Sequence, residues 1–292
     1  MNNSKILFQE IVANIELEES AEEIESIVYI LMEKVFGISR TEVMVDKMVD
    51  YPQEAAFELK RFVEKINHGE PVQYVIGEAY FFGRIFQVNP SVLIPRPETE
   101  ELIRVVLTYE SELSKNKRRI EPLQILDIGT GSGCIPITLF HEVGLAEIFA
   151  TDVSNAALSV AGNNAELMEA KITFIEHNIL KEKLPVLNLD VITSNPPYVT
   201  EKEKSQMKPN VLRHEPRQAL FVPDDDPLVF HKMIVQEAKG ALKEGGMLAV
   251  EINENFGKEV SQLFLRQGFN DVRIINDLAG KERIVKGMNR PA

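Results

Sequence analysis

The residues Asn195-Pro196-Pro197-Tyr198 bring a side-chain amide, a proline carbonyl and an aromatic ring together in one stiff turn. Proline has no N–H for a strand ladder, so the apolar stretch 189–194 is predicted to be a buried strand that ends at this turn. Open α/β sheets bind ligands at the carboxyl ends of their strands, and the turn is therefore a candidate site. For these four residues alone, an ordinary strand-ending turn is an equal alternative.

A glycine-rich loop follows another predicted buried strand, over residues 123–133. Glycines allow a ligand to approach the backbone closely. A dinucleotide-binding loop needs a further glycine where this chain has Cys134 or Pro136, and no Gly-Lys-Ser/Thr phosphate loop is present. The loop therefore favours a nucleoside and amino-acid ligand over a pyrophosphate. Its candidate ligand-binding residues are Asp127, Gly129, Thr130, Gly131, Ser132 and Gly133.

Polar side chains also follow the next two predicted strands. Asp152 comes about 20 residues after the loop, the separation at which an acidic residue accepts hydrogen bonds from ribose hydroxyls. This pairing makes a purely structural turn at the glycine loop the weaker interpretation. Asn178 follows the third strand and could bind the amino group of adenine. A loop asparagine without a ligand is an equal alternative there.

These residues need a sheet to position them, and strands and helices alternate from residue 123 to the end of the chain. The alternation predicts the α/β class, with a mostly parallel, Rossmann-like sheet and helices on both faces. The connection 277–281 is too short for a parallel crossover, so the last of seven strands should be antiparallel. The predicted strands are 123–128, 146–151, 171–176, 189–194, 246–252, 269–276 and 282–287. The predicted helices between them are 134–143, 154–168, 227–243 and 255–267.

Residues 1–70 instead predict a small bundle of helices. Capping residues and terminal glycines mark helices that start at Ser20, Ser39 and Pro52. The apolar residues expected to form the core of the bundle are Ile24, Ile27, Val28, Leu31, Met32, Val35, Val43, Met44, Val45, Ala55, Phe57, Leu59, Phe62, Val63 and Ile66. They recur at helical spacing, which is typical of amphipathic helices packed on one another.

Between these two regions, residues 71–97 predict a β-hairpin around Gly83 that links the bundle to the sheet. The prolines on either side of Arg96 fix an extended segment. Arg96 is a candidate ligand or interdomain anchor, although a surface arginine is favoured by this segment alone. A helix should begin at residues 98–101, and the charged stretch 112–122 is expected to be an exposed connection.

The chain has 292 residues, of which 44% are hydrophobic and 26% charged, as in a globular protein of two domains. No run approaches the roughly 18 consecutive apolar residues of a membrane span, and no secretion signal is evident, so a cytoplasmic location is expected. Cys134 is the only cysteine, which excludes an intrachain disulfide. The net charge is −13, with acidic residues twice as frequent as basic ones in residues 1–85. This balance argues against free nucleic acid and is more compatible with a basic protein surface as partner, with a solvated acidic face as the alternative.

With the glycine loop, Asp152 and the Asn-Pro-Pro-Tyr turn, the chain resembles class I methyltransferases that use S-adenosyl-L-methionine and act on a planar nitrogen. More narrowly, it resembles the protein-(glutamine-N5) methyltransferases of class 1 peptide release factors over nearly all of residues 70–292. Asn178 departs from the resemblance, since that family usually has aspartate there. The motifs that carry the narrower resemblance are Pro71-Val-Gln-Tyr74, Phe86-x-Val88, the run from Val92 to Glu100, Glu215-Pro216 with Ala219-Leu220, and Gly280-x-x-Arg283.

The resemblance implies methyl transfer from S-adenosyl-L-methionine to the glutamine of a release factor's Gly-Gly-Gln motif. The chemistry needs no metal, and no direct nucleic-acid or membrane partner is expected. The expected domains are a helical substrate-recognition domain (1–70), which resembles that of the family only in kind, a β-hairpin linker (71–97) and a methyltransferase domain (98–292). The implied catalytic residues are Asn195, Pro196 and Tyr198, the implied substrate-binding set adds Pro197 and Arg96, and Asn195 also borders the cofactor.

A physical argument, independent of that resemblance, also supports a catalytic role for Asn195. The nitrogen of a glutamine amide is a poor nucleophile, because its lone pair is delocalised into the carbonyl group. The Asn195 side-chain oxygen and the Pro196 carbonyl could hold its two N–H groups, and positioning of this kind accounts for about 7–11 kcal/mol of a barrier. An adenine-N6 methyltransferase would grip an amino group in the same way. A non-catalytic protein that binds S-adenosyl-L-methionine is the alternative from a different class.

Overall fold

The computed structural model describes residues 2–116 and 121–290, which form two compact units. The helical unit consists of the residues up to Glu78 and the segment Lys208–His214. The sheet unit consists of Ala79–Met207 and the residues from Glu215 onward. Among the described residues, no helix is both long and apolar enough to cross a membrane. The division of function among residues 1–70, 71–97 and 98–292 stays a prediction.

The helical unit forms where the sequence places capping residues. The Ser20 hydroxyl accepts a hydrogen bond from the Glu23 N–H at 3.2 Å, and Gly37 ends the same helix in the left-handed conformation. A short pair of antiparallel strands, β1 (Asn2–Asn3) and β2 (Met48–Val49), joins the first residues of this unit to its middle. The helices of this unit are α1 (Ser4–Asn14), α2 (Ala21–Phe36), α3 (Arg40–Met44), α4 (Gln53–Asn67), α5 (Val72–Ile76) and α9 (Pro209–His214).

The prediction of a buried core position is wrong for three residues of this bundle. Met44, Val45 and Phe57 are 61%, 70% and 71% exposed. Helix α3 ends at Met44, so the apolar run beyond it has no helical face to share. In α4 the buried stripe is Leu59, Phe62 and Ile66, and Phe57 lies off that stripe.

The predicted hairpin is correct but shorter than expected. It consists of β3 (Glu78–Phe81) and β4 (Arg84–Gln87), with Gly83 at the turn. The first residues of the predicted hairpin form helix α5 instead, which ends at Gly77 in the left-handed conformation. The short apolar run before Gly77 fits a helix turn as well as a strand, and packing decides between them.

The sheet unit is built on a seven-stranded sheet, which confirms the predicted α/β fold class. The strands are β5 (Leu123–Ile128), β6 (Ala146–Asp152), β7 (Ile172–Glu176), β8 (Leu189–Ser194), β11 (Leu242–Glu251), β12 (Asn270–Asn276) and β13 (Glu282–Asn289). Their order across the sheet is β12-β13-β11-β8-β5-β6-β7. Neighbouring strands are parallel except β13, which is antiparallel to β11 and β12.

Helices cover the sheet and bury two apolar clusters against it. They are α6 (Glu100–Asn116), α7 (Cys134–Glu142), α8 (Asn155–Leu167), α10 (Val229–Ala241) and α11 (Gly257–Arg266). Helix α6 corrects the prediction for 112–122, because residues 112–116 are helical. Residues 117–120 of that predicted connection lie outside the described residues. β9 (Val199–Thr200) and β10 (Phe221–Val222) form a separate two-stranded parallel sheet.

The strand order reverses at β5, and this reversal positions the site. From β5 the chain builds β6 and β7 on one side and β8 and β11 on the other. Such a switch point opens a crevice at the carboxyl ends of the two central strands. Because Ile128 lies opposite Ser194 in the parallel ladder of β5 and β8, the glycine loop and Asn195 leave the sheet side by side.

Candidate active site

A cavity of about 230 Å³ lies at the carboxyl ends of β5 and β8, within the sheet unit. Asp127, Gly133 and Tyr198 do not line it. Tyr198 borders a smaller pocket of about 50 Å³, which shares Arg96, Asn195 and Pro196 with the first. The predicted site residues that do line the main cavity are Arg96, Gly129, Thr130, Gly131, Ser132, Asp152, Asn178, Asn195, Pro196 and Pro197.

The glycine loop is open on its ligand side and tight on its helix side. A methyl group added at Gly131 would meet no atom within 4 Å, whereas one at Gly133 would lie 3.1 Å from the Ala161 Cβ of α8. The hydroxyls of Thr130 and Ser132 are buried and have no hydrogen-bond partner within the described chain. Buried polar groups are normally paired, so these hydroxyls fit a polar ligand such as S-adenosyl-L-methionine.

Asp127 precedes the glycine loop, and only one of its two carboxylate oxygens has a hydrogen-bond partner among the described residues. Its Oδ1 accepts a hydrogen bond from the Thr193 hydroxyl at 2.8 Å, and its Oδ2 has no partner among the described residues. Burial raises the pKa of this carboxyl to about 7, and the hydrogen bond from the Thr193 hydroxyl opposes that rise. A cationic ligand near the loop would favour the ionised form of Asp127.

Asp152 lines the cavity and also holds the loop. Its Oδ2 accepts a hydrogen bond from the Gly131 N–H at 2.9 Å, and its Oδ1 accepts one from the Ser154 N–H at 2.9 Å. Burial raises the pKa of this carboxyl, and the backbone donors oppose the rise. A carboxylate has about four acceptor positions, so two remain for the hydroxyls of a ribose.

Asn178 lines the cavity at the end of β7, where its side chain closes a local turn. Its Oδ1 accepts a hydrogen bond from the Leu180 N–H at 3.0 Å, and its backbone N–H donates to the Glu182 carboxylate at 3.0 Å. The side-chain amide group is thus fixed in place before any ligand binds. The contact with adenine stays a prediction.

Arg96 is held at the cavity by a buried carboxylate. Its Nη2 lies 2.5 Å from Oε1 of Glu215, whose side chain is 1% exposed. The other carboxylate oxygen of Glu215 accepts a hydrogen bond from the Ile94 N–H at 3.2 Å. Glu215 therefore fixes both the backbone of the proline-flanked segment and the arginine. Its pairing role could not be read from the sequence, because 119 residues separate the partners.

Thr99 and Glu251, for which no role was predicted, connect the Asn-Pro-Pro-Tyr turn to the sheet. The Asn195 Nδ2 donates to the Thr99 Oγ1 at 3.1 Å, and the Thr99 hydroxyl donates to Glu251 at 2.7 Å. The Tyr198 hydroxyl donates to the other carboxylate oxygen of Glu251 at 2.8 Å. The one available signal was that Glu251, an acidic residue, ends a predicted buried strand at the ligand-binding edge of the sheet.

A seven-stranded sheet with one antiparallel strand, carrying a glycine loop and an acidic strand end at its switch point, defines a class I methyltransferase that uses S-adenosyl-L-methionine. Residues 111–220 match the model of the methyltransferase small domain, and residues 12–77 match that of the PrmC N-terminal domain. The chain belongs to the family of release factor glutamine methyltransferases.

The family assignment rests on relatives that align over most of their length. The release factor glutamine methyltransferase of Flavobacterium psychrophilum is 40% identical over 264 residues, which cover 90% of this chain and 91% of the relative. That of Staphylococcus aureus is 37% identical over 261 residues, covering 87% and 89%. Among solved structures, the hMettl16 catalytic domain in complex with an RNA hairpin has a TM-score of 0.57 at 15% identity, covering 98% of this chain and 93% of that one. The last similarity is one of fold.

Proposed function

We propose that this protein transfers the methyl group of S-adenosyl-L-methionine to the side-chain amide nitrogen (N5) of the glutamine in the Gly-Gly-Gln motif of peptide chain release factors. Such methylation supports translation termination and takes place in the cytoplasm. The observation that carries the proposal is the Asn195-Pro196 turn on the cavity beside the glycine loop. It is supported by curated relatives named release factor glutamine methyltransferases.

The residues around the loop would hold the cofactor by its polar groups. Asp152 would accept hydrogen bonds from the ribose, and the Thr130 and Ser132 hydroxyls would bind the amino-acid end above Asp127. Asn178 would contact the adenine. S-adenosyl-L-methionine supplies a methyl group on a positively charged sulfur, so the reaction needs a well-placed nucleophile more than a strong base.

The Asn-Pro-Pro-Tyr turn would position that nucleophile. The Asn195 Oδ1 and the Pro196 carbonyl would accept hydrogen bonds from the two N–H groups of the substrate amide and orient the nitrogen lone pair toward the methyl group. Tyr198 would pack on the plane of the amide, and Arg96 would contact the substrate backbone near the opening of the cavity. Positioning of this kind lowers a barrier without any change in the chemistry of the nitrogen.

A direct experiment tests the function. The enzyme is incubated with S-adenosyl-L-methionine carrying a labelled methyl group and with a release factor, and the Gly-Gly-Gln peptide is analysed by mass spectrometry. We expect one methyl group on the glutamine, and none on a factor whose motif glutamine is replaced by alanine. Label in nucleic acid instead of protein would contradict the proposal, as would the absence of label from every macromolecule in a cell extract.

The acidic helical unit would provide a second surface for the substrate, since one glutamine side chain is too small for specific recognition of a protein. Glu18, Glu22 and Glu25 are exposed on this unit, and none forms an ion pair within the described residues. A basic surface of the factor would be attracted to them, which raises the rate of association at low salt.

Replacing Glu18, Glu22 and Glu25 together by glutamine should raise the KM for the intact factor about three- to tenfold at low salt and flatten its salt dependence, because each exposed charge contributes little alone. Steady-state kinetics across a salt series measure this. The matched control replaces three exposed acidic residues of the sheet unit, Glu166, Glu169 and Glu244, by glutamine. Equal KM values for both triple variants would show that the helical unit takes no part in electrostatic recognition of the factor.

A further inference from the structure

Glu251 is a buried carboxylate at the carboxyl end of β11, in hydrogen-bond contact with the Asn-Pro-Pro-Tyr turn. The residue is 1% exposed, and both its carboxylate oxygens accept hydrogen bonds from hydroxyl groups. Its backbone carbonyl lies 2.9 Å from the Nε2 of His231. Burial raises the pKa of the carboxyl, while the Thr99 and Tyr198 hydroxyls and the charge of Arg283 oppose that rise. In both of these hydrogen bonds the hydroxyl is the donor and an oxygen of Glu251 is the acceptor.

These contacts fix the direction of the hydrogen bonds that lead to Asn195. The Thr99 hydroxyl has a single proton and uses it in its hydrogen bond to Glu251. The Thr99 oxygen is then left as an acceptor, and the group 3.1 Å away on Asn195 must be the donor, Nδ2. The Asn195 Oδ1 is consequently the end left for a ligand, and no donor contacts it within the described chain. Without this relay, the two ends of an asparagine amide could exchange places.

We propose that Glu251 and Thr99 are positioning residues that set the polarity of the Asn195 amide, so that an oxygen rather than an N–H group faces the acceptor site. The proposal rests on the proposed function, because it concerns the binding of a substrate amide. It explains how the enzyme selects an amide over a carboxylate of the same shape. A glutamine offers two N–H donors to the Asn195 Oδ1 and the Pro196 carbonyl oxygen. The carboxylate oxygens of a glutamate would instead face these two acceptor oxygens and be repelled by them.

The other hydroxyl that contacts Glu251 belongs to Tyr198 and provides an internal comparison. Tyr198 shares the same carboxylate but does not touch the Asn195 side chain in the relay. The charge of Arg283, which pairs with Asp277 at 3.1 Å, acts on both Tyr198 and Glu251. Removing the Tyr198 hydroxyl should therefore disturb the turn while leaving the Thr99 end of the relay in place.

The experiment measures discrimination between the two side chains. The release factor with its Gly-Gly-Gln glutamine is the substrate, and the same factor with glutamate at that position is tested as a competitive inhibitor. The ratio of the inhibition constant to the KM is determined for wild type, Thr99→Val, Thr99→Ser, Glu251→Gln and Tyr198→Phe. Melting temperature and S-adenosyl-L-methionine affinity are measured for each, so that a folding or cofactor defect is recognised separately.

For Thr99→Val and Glu251→Gln we expect the ratio to fall about tenfold, the effect of reversing one hydrogen bond, together with a fall in kcat of about tenfold or more. Thr99→Ser retains the hydroxyl and should keep the wild-type ratio, and Tyr198→Phe should keep the ratio even if it lowers kcat. An unchanged ratio in Thr99→Val, measured on folded enzyme that binds cofactor, would overturn the proposal. If wild-type enzyme fails to methylate the factor at all, the proposed function fails instead, and the two failures are distinct.

Discussion

Asn195→Ala is expected to lower the rate of methyl transfer to a release factor by about 10³-fold, while the affinity for S-adenosyl-L-methionine changes by less than about threefold. The variant removes the Oδ1 that would hold one N–H group of the substrate amide, and the remaining Pro196 carbonyl cannot fix the orientation of the nitrogen alone. Single-turnover kinetics with enzyme in excess measure the chemical step, and calorimetry measures cofactor binding.

The control for this variant is Asn276→Ala, which removes an exposed asparagine amide on β12, outside the residues that line the cavity. We expect that protein to retain wild-type rates. Near-normal turnover by Asn195→Ala would mean that the turn is mainly structural and that another group orients the substrate amide. A parallel loss of cofactor affinity would mean that Asn195 acts chiefly on the cofactor.

Asp152→Ala should weaken S-adenosyl-L-methionine binding about a hundredfold, and Asp152→Asn at least about tenfold. Hydrogen bonds that involve a charged group contribute about 1.5–3 kcal/mol each, and Ala removes all of them. The side chain also accepts the Gly131 and Ser154 N–H groups, so its loss loosens the loop as well as the ribose contact. Asn retains one acceptor oxygen and should have the smaller effect.

Isothermal titration calorimetry gives these affinities directly, with circular dichroism to establish that the fold is intact. Glu176→Gln is the matched control, since Glu176 ends the neighbouring strand β7 without lining the cavity. We expect its affinity to equal that of wild type. If Asp152→Ala bound the cofactor as tightly as wild type, the carboxylate would have only its structural contacts with Gly131 and Ser154.

The strands of the sheet unit could be predicted to within a few residues because local signals agree there. Glycines and prolines end the strands, and the apolar runs between them are too continuous for surface elements. The glycine loop, Asp152 and Asn195 could be predicted as site residues for the same reason, since each lies at or directly after the carboxyl end of a strand. The helical unit was harder to predict, as the exposure of Phe57 shows. Helical spacing tells which residues share one side of a helix, but the neighbouring helices decide which side is buried.

The amino-acid sequence by itself therefore determined the α/β class, the glycine-rich loop and the turn that carries Asn195. The tertiary structure alone decided what holds that turn. Thr99 and Glu251 are 152 residues apart in the chain and meet only because α6 begins beside the carboxyl end of β11. A hydrogen bond between such distant residues leaves no periodicity or spacing in the sequence. Its direction depends on which donors and acceptors lie within about 3 Å of one another, and only the packing of the sheet and helices fixes those distances.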